Sequence, residues 1–151
     1  MKPNNLTLLE KKINISFKNK DILENAFIHR SFLNENKTKK LISNERLEFL
    51  GDTVVSLAIS SYLYNTFPDF SEGELTSVRS AVVNTKSLAQ ASQTLQLGSY
   101  LKLSKGEEDS GGRNNLTLLA NSFEALTGAI FLDSGITTAQ KFLGNFLIPS
   151  I

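Results

Sequence analysis

Glu45, Glu48 and Asp52 stand three and four residues apart in the segment Asn44-Glu45-Arg46-Leu47-Glu48-Phe49-Leu50-Gly51-Asp52. Wound as an α-helix at about 100° per residue, these carboxylates fall within an arc of about 60°. Opposite them, Leu47, Leu50, Val54, Leu57 and Ala58 form the apolar stripe of a core-facing helix. Like charges at these spacings repel by about 0.2–0.5 kcal/mol per pair. Either water solvates the face, or a divalent cation or nearby bases such as Arg30 and Arg46 offset it. Phe49 speaks against simple solvation. It projects about 40° from Glu45, so a large aromatic lies beside the acids, where another element or a second chain must cover it.

A second helical period runs over residues 116–133, with Leu119, Phe123, Leu126 and Ile130 as its stripe. Asn121 and Glu124, three apart, point away from that stripe and offer one amide oxygen and one carboxylate on a single face. Packed side by side, the two helices form an oxygen-rich site suited to Mg²⁺ or Mn²⁺. These hard ions prefer carboxylates and keep waters that substrate phosphates displace.

Asn44 to Asp52 followed by Thr53-Val54-Val55 resembles the signature helix of the ribonuclease III catalytic domain. Further segments agree in order and spacing: His29-Arg30-Ser31, Glu72-Gly73-Glu74-Leu75-Thr76 with Val78-Arg79-Ser80, Leu97-Gly98-Ser99-Tyr100-Leu101, Lys105-Gly106-Glu107-Glu108 with Ser110-Gly111-Gly112-Arg113, and the Glu124 helix. The similarity runs from about residue 6 to about residue 145, nearly the whole chain.

The resemblance implies an all-α endonuclease domain that works as a homodimer and hydrolyses double-stranded RNA with Mg²⁺, leaving 5′-phosphate and 3′-hydroxyl ends with short 3′ overhangs. Mn²⁺ is expected to substitute, and no nucleotide cofactor is implied. By position, Glu48, Asp52, Asn121 and Glu124 correspond to the metal ligands, Glu45 to a supporting acid, and Asp52 and Glu124 to the centre of catalysis. Phe49 corresponds to an aromatic that packs into the partner subunit.

Two features depart from the family pattern. Asn121 stands where the family has Asp, removing one unit of charge from the ligand set while keeping a carbonyl that can bind Mg²⁺. The expectation is cleavage that survives but demands more metal. The family also continues into a double-stranded-RNA-binding domain, whereas residues 1–151 read as one catalytic domain, so RNA binding is expected to be weak and salt-sensitive. A catalytically silent RNA-binding or ribosome-associated module, supported by Asn121, is the competing reading. A helical dimerisation protein is a third, and it leaves the acidic faces unexplained.

Candidate RNA contacts are Lys105 and Arg113 in the glycine-rich stretch 104–113, with Arg79 and Lys86 elsewhere. Each has a plainer reading as surface charge, and 104–113 reads equally as a solvated loop. His29, the sole histidine, reads as a capping or hydrogen-bonded structural residue, and the family does not use it as a base.

The positioning elements are helices: 5–13, 20–29, 44–66, 71–82, 85–96, 114–132 and 135–147. Asp21, Ser43 or Asn44, Ser71 with Glu74, and Asn114 or Asn115 are candidate openings, and Gly98 the stop of the fifth. With 151 residues, 40% of them hydrophobic, the chain is long enough for one buried core. A net charge of +1 gives no general field for nucleic acid, and the lack of cysteine excludes disulfides and thiolate metal sites. No apolar run reaches the roughly 20 residues of a membrane span. The polar start is unlike a secretory signal, so the chain reads as cytoplasmic.

Overall fold

Helix α8 (Leu116–Ser134) is the axis of the molecule, buried almost continuously from Leu119 to Ile130. Its residues are apolar nearly all round, as a helix enclosed by others must be. Thr127 and Ser122 return their hydroxyls to the carbonyls of Phe123 and Leu118, so their burial leaves no donor unmet. The computed structural model describes residues 5–37 and 40–151.

In chain order, α1 is Leu6–Ile13, α2 Lys20–Asn25, α3 Arg30–Glu35, α4 Glu45–Thr66, α5 Glu72–Val82, α6 Thr85–Thr94, α7 Lys105–Asp109, then α8 and α9 (Ile136–Phe146). Short 3-10 turns lie at Leu97–Tyr100, Gly112–Asn114 and Ile148–Ser150. Helices α4 and α6 pack along α8, and α9 folds back against its end. Phe123 stacks on Phe142 of α9 with ring centroids 5.3 Å apart. The described residues contain no strand, only an isolated bridge between Ile28 and Lys102, and none of the described helices is long and apolar enough to cross a membrane.

The all-α expectation holds, with local corrections. The helix expected over 20–29 stops at Asn25 because residues 27–29 pair with Lys102 instead: the Lys102 N–H donates to Phe27 at 2.8 Å and the His29 N–H to Lys102 at 3.1 Å. His29 then caps a further helix, α3, its Nδ1 accepting from the Ser31 N–H at 3.2 Å, in keeping with its structural reading. Asn19 rather than Asp21 caps α2. Helix α6 ends at Thr94, where Gln96 adopts φ 55, while Gly98 lies inside the following turn against the Arg113 carbonyl. The stretch 104–113 is ordered. Ser104 caps α7 by accepting from the Glu107 N–H, and the Lys105 N–H donates to the Glu35 carboxylate at 2.7 Å.

Candidate active site

The two acidic helices meet, and glycine lets them meet closely. A Cβ on Gly51 would lie 1.7 Å from the Glu124 carbonyl oxygen, and one on Gly128 2.4 Å from that of Leu47. Only hydrogen fits at either crossing point. Asp52 follows Gly51 directly and Glu48 precedes it by three residues, so the crossing sets these carboxylates beside Glu124.

Crowding is visible in their proton affinities. Burial, a hydrogen bond to Asp52 and the charges of Asp52 and Glu48 push Glu124, only 9% exposed, up to about 8. Burial, then the charges of Glu45 and Asp52, raises Glu48. Among the described residues no Lys or Arg forms an ion pair with any of these four acids; Arg30 and Arg46, considered as neutralising partners, are exposed and make no such pair. A buried acid with unbalanced like charges is a marker of a functional centre.

A cavity of about 280 Å³ opens beside the crossing, and Glu45, Glu48, Asn121, Asn44 and Arg30 are among the residues lining it. Asn121 thus reaches the side of the site where Glu48 lies. Glu45 is exposed and accepts from the Ser43 hydroxyl at 3.0 Å. The donor set is all oxygen, which suits Mg²⁺ or Mn²⁺. As the side chains stand, no three His, Cys, Asp or Glu among the described residues converge tightly enough to hold an ion. The hydrogen bond between Glu124 and Asp52 requires a proton that an ion would displace.

On the outer side of α4, Phe49 is 80% exposed, with Leu57 at 56% and Tyr64 at 73%. Leu57, expected in the core stripe, therefore belongs to this outer face instead. Spacings of eight and seven residues align all three along one side of the helix. No described element covers Phe49.

The basic residues divide. Arg113 points inward: its guanidinium donates to the Leu101 carbonyl at 2.7 Å, the Gly98 carbonyl at 3.0 Å and Glu108 at 3.1 Å. It fastens the 98–114 segment, which corrects its reading as a phosphate contact. Arg79 donates to the Ser60 hydroxyl at 2.9 Å, tying α5 to α4. Lys105 and Lys86 are exposed.

A family model described as Ribonuclease-III-like matches residues 19–151. The chain belongs to the ribonuclease III family. It is 46% identical over 143 residues to Ribonuclease 3 of Lactococcus lactis subsp. cremoris (strain SK11), covering 95% of this chain and 62% of that protein. Identity to Ribonuclease 3 of Streptococcus thermophilus is 45%, with 95% and 62% covered. The chain thus spans 62% of the length of these two curated relatives. Among solved structures, the nuclease domain of ribonuclease III from Campylobacter jejuni, described for flexibility in a region involved in dimer formation, superposes with a TM-score of 0.89 at 37% identity, covering 96% of this chain and 97% of that one. Dicer from Pichia stipitis gives 0.65 at 28% identity, covering 89% and 56%.

Within this ribonuclease III fold, the residues that make the site possible escape sequence reasoning. Gly51 and Gly128 carry no chemistry of their own, although a glycine inside a helical period is itself a signal of close approach. Asn44, a helix opening by its position, is instead a buried bridge.

Proposed function

We propose that this chain is the catalytic part of a divalent-metal-dependent endoribonuclease that cleaves double-stranded RNA into products with 5′-phosphate and 3′-hydroxyl ends. The observation that carries the reading is the crossing of α4 and α8, where Glu48, Asp52 and Glu124 crowd with no Lys or Arg paired to them among the described residues, in a ribonuclease III fold. Glu48, Asp52, Asn121 and Glu124 would hold Mg²⁺, with Mn²⁺ as a substitute, and Glu45 would support them. When bound, the cation supplies an activated water and neutralises charge on the phosphate and the leaving 3′ oxygen.

The chain's own residues have distinct tasks. Burial and the neighbouring acids raise Glu124 to about 8, so that it holds a proton towards Asp52 at neutral pH; an ion held there would compete with that proton, and metal affinity would rise with pH up to about 8. Glu48 is raised by the same crowding and gains likewise. Asn121 would offer the ion an uncharged carbonyl oxygen, so the site would work at a higher metal concentration. No side-chain nucleophile is needed.

Phe49, Leu57 and Tyr64 form the contact between two copies, and the homodimer presents two acidic sites to one duplex. A-form RNA is then recognised by shape, 2′-hydroxyls and phosphates, with weak sequence preference. With a net charge of +1, the chain has no general field for nucleic acid and its binding is weak. Ribosomal precursors, messengers and foreign duplexes all present this shape, and the cytoplasm is where the protein would meet them.

The test is cleavage of a labelled duplex with Mg²⁺ and then Mn²⁺. Cutting by the parent chain that rises in Asn121→Asp supports the reading. Duplex binding with no cleavage by either protein in either metal would favour the silent binding module that Asn121 also suggests.

A further inference from the structure

Seven of the nine α-helices among the described residues open on a side-chain cap, and four of those caps are asparagines. Helix α4, the longest and the bearer of three site acids, opens on Asn44 with no such bond. An asparagine cap stabilises a helix by about 1 kcal/mol relative to alanine, and here it is forgone.

Asn44 is used otherwise. Its Nδ2 donates to the Ala26 carbonyl at 3.0 Å, and its backbone N–H to the Ile28 carbonyl at 2.8 Å. The residue is 5% exposed, so both bonds lie away from water, where they are costly to break. The acceptors belong to the turn that residues 27–29 pin to Lys102. Asn44 therefore ties the start of α4 to a segment that is itself fixed from the far side.

The first turn of the acidic face begins immediately after Asn44. Glu45 is its neighbour, and the Glu48 N–H donates to the Asn44 carbonyl at 2.9 Å. Because the carboxylates stand at the ends of side chains well outside the backbone cylinder, a rotation of the first turn displaces them more than it displaces the backbone. Asn44, Glu45, Glu48 and Asn121 all line the same cavity.

We propose that Asn44 is a positioning residue for the metal site: its bridge to Ala26 and Ile28 sets the rotation of the first turn of α4 and so the aim of Glu45 and Glu48 towards Asn121. This rests on the reading of the site as a divalent-cation site. The bond is a donor bond, so charge and shape can be separated. Asn44→Ser keeps a good helix cap but cannot reach Ala26. Asn44→Asp keeps the shape, adds a negative charge near the ion and loses the donor.

Mn²⁺ binding, followed by paramagnetic resonance in the full chain and in its Asn121→Asp background, tests this. Asn44→Ser is expected to weaken Mn²⁺ at least about tenfold, within the roughly 10–100-fold range typical of groups that orient ligands, with only a modest fall in melting temperature because a serine cap offsets part of the lost bond to Ala26. Asn44→Asp is expected to weaken it too, despite the added charge. Unchanged Mn²⁺ affinity in Asn44→Ser, tighter binding in Asn44→Asp, or failure of both variants to fold would overturn the proposal. If neither parent nor Asn121→Asp binds Mn²⁺, the cation reading itself fails and the proposal falls with it.

Discussion

The crossing of α4 and α8 and the segment 98–114 both carry charges at short spacing, and they use them in opposite ways. Along 98–114 the part-buried charges are balanced close by: Arg113 by Glu108 and two carbonyls, and Lys102 by Glu24, while the Glu35 carboxylate accepts from the Lys105 backbone N–H. At the crossing, Glu48 and Glu124 are held together at a cost, with raised proton affinities and, among the described residues, no Lys or Arg in ion-pair contact with them. Balanced charge marks a place that holds the fold. Unbalanced, buried charge marks a place that waits for a ligand.

The sharpest way to break this contrast is to neutralise the acid at its centre. Glu124→Gln should cut duplex cleavage about a thousandfold, comparable to losing one group that stabilises transition-state charge. The same change should stabilise the metal-free protein. Because the folded-state value of Glu124 is raised to about 8, the unfolded chain ionises from about pH 4.5 while the folded chain stays protonated. The stability lost by the parent therefore grows between pH 4.5 and 8. Melting curves across that range should show parent and variant alike at about pH 4 and the variant ahead at about pH 8.

Geometry comes next. Gly51→Ala forces a methyl into the Glu124 carbonyl and should destabilise by about 3 kcal/mol, the upper end for overpacking. On a domain of this size that is about 6–12 °C in melting temperature. An unshifted melting curve would mean that the helices can separate freely, and the crossing would not then set the site.

On the balanced side, Arg113→Ala should cost about 2 kcal/mol, since charged hydrogen bonds to two carbonyls and a carboxylate are lost. Duplex affinity should be unaffected. A variant of normal stability that binds RNA poorly would return Arg113 to the role of phosphate contact. The smallest effect on the monomer is expected at Phe49→Ala, under about 0.5 kcal/mol because the ring is exposed. Sedimentation should nonetheless show loss of the proposed dimer.

Much of this contrast is legible in the residues. The 3.6-residue period of α4 and α8 and the acids three and four apart follow from local rules, and both helices form where expected. Leu57 shows where projection fails: it lies on the apolar side of a helical wheel, yet nothing among the described residues folds over it. Helix α2 ends early because residues 27–29 pair with Lys102, a partner far along the chain that local propensity cannot announce. The 104–113 stretch reads from its glycines as a loop, whereas Ser104 and Glu35 supply the helix start. Arg113 misleads for the same reason, since its carbonyl partners are brought to it by the fold. The close approach at Gly51 and Gly128 is a tertiary fact, signalled only by glycines inside helices.

The central claim is that Glu124 sits protonated in a crowded acidic site that a divalent cation relieves. Titration of the Glu124 side-chain carboxyl carbon by NMR, without and with Mg²⁺, tests it most directly. The expected result is a midpoint near 8 in the metal-free protein that falls well into the acid range when Mg²⁺ is added. A metal-free midpoint near the ordinary 4.5, or one that Mg²⁺ leaves unmoved, would contradict the account.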